Sequence, residues 1–456
     1  MCLLLSAGPY RRLPRLSGSL KGSVQTRSKS SIVTAWGAYV GHFAKPSVLS
    51  GPSLLGGSEL DGGSLEEHAC ATPVQISLNR LFRCGSDQKT SIAVDAMGAG
   101  VRHALVSTHS LSGDRFESHL AGFGLNRCRQ LGKKGSDTPS IVTNVPGKVL
   151  QIACGREHSA MVVEKKDRTK VVMVCGSNSY GQLGIGDTHK LQEAAIPKQT
   201  AGLEQEEYLI PASGLVEVAA LKDMLRSDEM PVRVQCGMDH TVVLTSLGRV
   251  FAMGWGSDGQ LGAGPDSTVC HDRPVQVFGL DKAPIVDISS STDFTLALSV
   301  DSRLFYWGNA EYGQCMIGKK IDQVLAPLEI PFTDGTIVKI AAGGCHALVL
   351  LSDGRVYGCG YGAIGMGADT ASSLTPSLVK GIRGIGHIAA STDRCLALDS
   401  QNNVYSWGLG NHAGRLGNGT VFSNLYAPTR LDISPKHVQP AFMALGNDIA
   451  LLASNA

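Results

Sequence analysis

The stretch Cys236–Gly262, CGMDHTVVLTSLGRVFAMGWGSDGQLG, carries the plan of the chain. It opens on a small-residue turn, runs through the apolar strand HTVVLT, turns at SLGR (246–249), returns as VFAMG and ends in a glycine-rich loop. Short β-branched runs bounded by glycine turns predict an antiparallel hairpin. Both halves recur. The turn with its strand reads GAGVRHALV, ACGREHSAMVV, QCGMDHTVVL, SSSTDFTLAL, AAGGCHALVL, AASTDRCLAL and MALGNDIALL, and the returning strand reads TAWG, LAGFG, VMVCG, VFAMGWG, LFYWG, VYGCG and VYSWG.

The spacing shows that the two halves form a unit. Gly237 to Gly254, Ser291 to Gly308, Gly343 to Gly360 and Ser391 to Gly408 are each 17 residues apart, against 24 for Gly100 to Gly124 and 21 for Gly155 to Gly176. A constant interval is what two strands need to stay in register, because a one-residue slip turns every side chain to the opposite face. The other half of each unit varies from 31 residues (Gly124 to Gly155) to 61 (Gly176 to Gly237), which places insertions near 43–89 and 188–231. In the second, LVEVAALKDML has the pattern of a short helix.

A unit of about 50 residues holding several short strands is the size of a propeller blade, whose sheet buries its faces only against its neighbours. Seven units predict an all-β, seven-bladed β-propeller over residues 32–456. The last unit stops at GNDIALLASN without its returning strand, and SIVTAWG near the start is a returning strand without its predecessor. Pairing of residues 32–37 with 446–455 would build one blade from both ends and leave no open edge.

Composition agrees with this plan and limits function. With 456 residues, 43% hydrophobic, and 55 glycines against 5% aromatics, the chain suits short strands and tight turns. No apolar run is long enough to span a bilayer as a helix. Twelve cysteines lie scattered with no C-x-x-C pair, as free thiols in a reducing compartment do. Residues 1–58 contain no acid, whereas Arg11, Arg12, Arg15, Lys21, Arg27 and Lys29 alternate with Ser and Leu. This is the composition of a mitochondrial targeting presequence, assigned to 1–31. Loss of those six charges takes the formal charge from +2 to −4, so the mature body is not basic and any hold on nucleic acid would be local.

On these motifs, above all CGMDHTVVLTSLGRVFAMGWGSDGQLG and CGREHSAMVV followed by CGSNSYGQLGIGD, the sequence resembles the regulator-of-chromosome-condensation repeat family over roughly residues 32–456. With its basic start it is most similar to the mitochondrial members. The resemblance implies guanine-nucleotide exchange on a dynamin-like GTPase, in the matrix or at the inner membrane. An alternative is a non-enzymatic scaffold for mitochondrial ribosome assembly on large-subunit rRNA. Either role implies a binding protein without cofactor, metal or bond-making residues. In the family's nuclear exchange factor the acid of the Gly-x-Asp-His turn faces the GTPase, which maps onto Glu157, Asp239 and His240. The family's wedge insertion has no counterpart in CGSNSYGQLGIGD (175–187).

The repeat slots define the remaining candidates. His103, His158, His240 and His346 stand three residues after the turn glycines Gly100, Gly155, Gly237 and Gly343, where the other units have Phe294, Arg394 and Ile449. Being in different blades, they are expected as buried imidazoles donating to backbone carbonyls. Trp255, Trp307 and Trp407 are assigned to the repeat core. The residue before the histidine slot is acidic five times, as Glu157, Asp239, Asp293, Asp393 and Asp448, with Arg102 and Cys345 as exceptions. Equivalent turns would gather these acids around one mouth of the channel as a rim for a cationic protein partner. GWGSDG (254–259) and GYGAIG (360–365) match G-x-G-x-x-G, yet they fall in one slot of the repeat and open no helix, so they are turn glycines.

Overall fold

The computed structural model describes residues 32–38, 70–76, 92–112, 115–133, 140–142, 145–186, 196–197, 207–208, 214–411, 413–433 and 442–454. Seven four-stranded sheets make up the blades. In blade 4 the order from the axis outward is Pro231–Cys236, His240–Thr245, Val250–Gly254 and His271–Gln276, all antiparallel. Blades 5, 6 and 7 repeat this order within 285–330, 337–378 and 385–430, and blades 2 and 3 within 92–142 and 147–217.

Blade 1 closes the ring. Ile32–Gly37 pairs antiparallel with Ile449–Ser454, from Ile32 opposite Ser454 to Gly37 opposite Ile449, and Cys70–Ile76 and Phe442–Leu445 flank this pair. The velcro pairing expected between 32–37 and 446–455 is therefore present. It removes the free edges that a linear array of sheets would expose.

The second strand of a blade reads as a continuous apolar run because both of its faces are covered. In Phe294–Ser299, Phe294, Leu296 and Leu298 pack toward blade 6, whereas Ala297 packs toward blade 4. Strands alternate their side chains, so each blade feeds two interfaces. Seven apolar clusters result, each joining two neighbouring blades.

Variable spacing has local causes. In blade 2 the second and third strands lengthen to His103–Ser112 and Arg115–Gly124, which absorbs the 24-residue interval. The turn after the second strand needs one left-handed residue, supplied by Gly248 and Gly354 at φ +78° and +83°. Arg168, Ser302 and Asn402 take that conformation without the freedom of glycine. Parts of the ranges expected as insertions belong to blades instead: Cys70–Ile76 is the fourth strand of blade 1 and Val216–Glu217 that of blade 3. The short helix forms at Ala219–Met224, with Leu221 buried between blades 3 and 4. The expected presequence, 1–31, lies outside the described residues, as do most of 43–89 and half of 188–231.

Candidate protein-binding face

The turns that carry the histidine slot and the loops that follow each third strand share one face. In every blade the residue after the glycine that closes the third strand donates its N–H to the carbonyl of the residue before the slot. Trp255 reaches Asp239, Asn309 reaches Asp293 and Tyr361 reaches Cys345, each within 2.8 Å, and the other four blades repeat the bond. The intervening glycine is required here. Gly254 sits at φ +112°, and a β-carbon on it would overlap the Asp239 carbonyl.

The histidines couple blades, but not as the sequence led us to expect. Nε2 of His103 faces Ser159 Oγ at 2.8 Å, His158 faces Thr241 Oγ1 at 3.0 Å and His240 faces Ser290 Oγ at 2.8 Å, always in the next blade. His346 faces Cys395 Sγ at 3.0 Å. The partners are side chains rather than backbone carbonyls. Each partner donates its own hydrogen to a carbonyl, as Ser159 does to Gln130, Thr241 to Gln182 and Cys395 to Ala363, so its oxygen or sulfur is free to accept from the imidazole. Burial holds the four rings neutral, with His103, His158 and His240 lowered to about 3 and His346 to about 4. Gly155, Gly237 and Gly343 leave room for these rings, since a β-carbon on any of them would strike the Cε1 of His158, His240 or His346.

Trp307 and Trp407 are fully buried, like Trp36, and each indole N–H reaches a loop carbonyl of the preceding blade at 3.0 Å. Trp255 departs from its assignment. It follows the glycine instead of preceding it, stays half-exposed and packs edge-on against Tyr180 with ring centres 4.9 Å apart; Met253 fills the core slot.

The acidic rim is not a uniform ring of charge. Glu157 is held by Arg127 and Asp239 by Arg156, while Arg415 lies beside both Asp393 and Asp448. Arg102 adds a second contact to Asp448 at 3.9 Å. Asp293 forms no ion pair among the described residues. Burial raises its carboxyl to about 6, and Asp258 and Asp239 push in the same direction. Acid without a matching cation is thus concentrated over blades 4 and 5, at Asp258, Asp293 and Glu311. Cys345 lies in the same field, its thiol raised to about 11 by burial and then by Asp393, Asp293 and Glu311.

Aromatic rings surround this sector. Tyr312 and Tyr361 are exposed, with ring centres 6.1 Å apart, and Tyr180 and Trp255 continue the band across blades 3 and 4. Only the acids carried a periodic signal. The aromatics divide between two offsets from their glycines, one residue for Trp255 and Tyr361 and four for Tyr180 and Tyr312, and the arginines that neutralise Glu157 and Asp239 occupy unrelated slots.

Among the described residues the thiols of this face are not arranged for covalent chemistry. Burial pushes the Cys395 thiol far up beside a neutral His346, the reverse of what an activated thiolate pair requires. Among the described residues no three His, Cys, Asp or Glu side chains converge as metal ligands. In GWGSDG, Gly256 and Gly259 pass against the backbone at Val269 and Val324, so both are packing glycines. The basic run 164–170 is a hairpin tip, closed by the Lys165 N–H to Thr169 carbonyl bond, with Lys165 paired to Glu217.

Comparison with known proteins gives the same pattern. Models of the regulator of chromosome condensation (RCC1) repeat match residues 248–298 and, in a second version, 149–182, 232–260 and 337–363. The RCC1-like G exchanging factor-like protein of Homo sapiens is 31% identical over 388 residues, covering 79% of this chain and 75% of that one. Its Mus musculus counterpart is 30% identical over 348 residues, covering 70% and 69%. Human WBSCR16 superposes with a TM-score of 0.71 at 26% identity, covering 94% of this chain and all of that one. Prp20p of Saccharomyces cerevisiae, studied for its binding to Gsp1p and histones, shares the fold at TM-score 0.66 and 20% identity over 93% of this chain and 92% of its own.

Proposed function

Because the chain belongs to the regulator-of-chromosome-condensation repeat family, we propose that it works in mitochondria as a binding propeller that promotes guanine-nucleotide exchange on a GTPase of the dynamin-like class. The observation that carries this reading is the sector over blades 3 to 6, where Asp258, Asp293 and Glu311 lie among Tyr180, Trp255, Tyr312 and Tyr361. Exposed aromatics are the usual anchors of a protein interface, and unpaired acids steer a cationic surface toward them. Exchange requires no bond making. It needs only tighter binding of the nucleotide-free GTPase than of the loaded one. The curated relatives are named as exchange-factor-like, and Prp20p was studied for binding Gsp1p, which supports the same class of role.

A scaffold role in large-subunit rRNA assembly is favoured by a different part of the face. Arg102, Arg127 and Arg156 leave 45%, 51% and 40% of their side chains exposed over blades 2 and 3, where they could also meet phosphate. The deciding experiment measures release of labelled GDP from a mitochondrial dynamin-like GTPase, and retention of mitochondrial rRNA, by the same purified protein. Accelerated release supports exchange. RNA retention without any effect on release selects the scaffold.

A further inference from the structure

The innermost strands enclose an axial channel of about 410 Å³, within the size range of small-ligand sites. The strand registers define one layer of its wall. Phe442, Ala96, Gln151, Arg233, Asp287, Lys339 and His387 stand at equivalent positions of blades 1 to 7, because each pairs with the same step of its blade's second strand. Four consecutive blades therefore present Arg, Asp, Lys and His at one height, while the other three present Phe, Ala and Gln. Gln151 is committed elsewhere, with both ends of its amide bonded to the backbone of Val234.

The charges in this layer do not cancel. Asp287 is taken by Arg233, and its buried carboxylate is 11% exposed. Lys339 forms no ion pair among the described residues; its Nζ lies 3.4 Å from Nδ1 of His387. That contact lets the ammonium donate to a neutral imidazole, which then carries its proton on Nε2 as a further donor. Nε of Arg233 is buried with no hydrogen-bond partner among the described residues. Burial lowers both Lys339 and His387; the Asp287 carboxylate, already shared with Arg233, opposes the shift in Lys339 only in part, and Lys339 lowers His387 further. The next acid on the wall, Asp95, is occupied by Lys148 at 3.1 Å and His109 at 2.8 Å.

We propose that this layer of the channel is a binding site for a small oxyanion of the phosphate class, held by Lys339 and His387 with the partly exposed guanidinium of Arg233 beside them. A guanidinium fork, an ammonium and an imidazole N–H suit a tetrahedral oxyanion, and the channel is too narrow for a folded domain. The site is distinct from the outer face used for the proposed partner, since its residues stand seven positions before the histidine slots, on the channel wall.

The test is calorimetric titration of the full protein with inorganic phosphate and with ribose 5-phosphate, chloride holding the ionic strength constant, alongside melting temperatures. Saturable binding is expected, with Lys339→Met weakening it about tenfold or more, the worth of one charged hydrogen bond, and Lys339→Arg retaining it. Lys339→Met leaves the Arg233–Asp287 pair intact, and circular dichroism checks its fold. Tighter binding of the sugar phosphate identifies a monoester as the ligand, and tighter binding of phosphate identifies the free ion. Absence of saturable binding to the unmodified protein, or equal binding by a folded Lys339→Met variant, overturns the proposal; the first result needs no variant.

Discussion

Nε of Arg394 in blade 7 donates to the carbonyl of Gly446 in blade 1 at 3.0 Å, and Nη2 of the same guanidinium reaches that oxygen at 2.9 Å. Arg394 is fully buried, and it also bonds the carbonyl of Arg415. It occupies the slot that holds histidine in four other blades, at the joint where the two chain ends meet. An imidazole reaches one partner there, whereas the guanidinium clamps two carbonyls. Arg394→Met should leave the Gly446 carbonyl unpaired, while the Arg415 carbonyl keeps the Trp36 indole N–H, and cost on the order of 2 kcal/mol after relief of the buried charge. Deleting residues 32–37 should cost more, since Ile449–Ser454 then loses its outer partner. Thermal melts check both, and a melting temperature unchanged by either alteration would dissociate the joint from ring stability.

The buried imidazoles predict sensitivity to acid. His103, His158 and His240 stay neutral in the fold down to about pH 3, and His346 to about 4, while the unfolded chain binds these protons near 6.5. The unfolded state thus holds more protons as pH falls below 6.5, and stability is lost progressively from there toward 3. Melting temperatures between pH 7.5 and 4.5 should fall steadily. His240→Ala should lower the neutral-pH stability by about 1 to 3 kcal/mol by removing the buried imidazole and its bond to Ser290, and flatten part of this slope. A protein as stable at pH 5 as at pH 7 would contradict neutral buried rings.

Much of this was legible in the chain and some was not, for physical reasons. The 17-residue interval announces paired strands, and the orphan strand SIVTAWG announces closure, because both follow from ladder geometry. Trp255 was misassigned because VFAMGWG contains two aromatic-adjacent glycines, and only the positive φ of Gly254 shows which one ends the strand. The fourth strands, such as Ser372–Leu378 and Leu425–Arg430, are half-buried or exposed along their length, so no apolar pattern marks them. The channel layer is a case of unread signal. Phe442, Ala96, Gln151, Arg233, Asp287, Lys339 and His387 each stand seven residues before the slots at Ile449, His103, His158, His240, Phe294, His346 and Arg394. Their differing chemistry hid a constant spacing.

Import should remove the acid-free start. The six basic residues between Arg11 and Lys29 precede the first closing strand at Ile32, so cleavage before about residue 32 leaves blade 1 intact. N-terminal sequencing of the protein from purified mitochondria checks this. An intact Met1 in that preparation would rule cleavage out.

The charge pattern of the face separates the two functions. Reversing Glu157 or Asp239 also breaks an ion pair with Arg127 or Arg156, so stability and binding would change together. Asp258 and Asp293 are the better probes. Asp293→Lys with Asp258→Lys should slow association with a cationic GTPase surface, most at low salt, because charges at an interface rim act mainly on encounter. Asp293 also gives a pH signature. Its carboxyl is raised to about 6, so the sector gains charge as pH rises through that value, and GTPase binding should strengthen between pH 5.5 and 7. Asp293→Asn should abolish that rise. It should also stabilise the fold at pH 7, since the penalty for an ionised buried carboxylate is full above 6 and absent below the unfolded value near 3.9. If RNA is instead held by Arg102, Arg127 and Arg156, the double reversal should leave RNA binding intact or improve it, whereas Arg102→Glu should weaken it. Association rates at two salt concentrations, for both ligands and all three variants, decide the matter. Unchanged GTPase binding and exchange by a folded Asp258→Lys/Asp293→Lys protein would exclude the acidic sector from the mechanism.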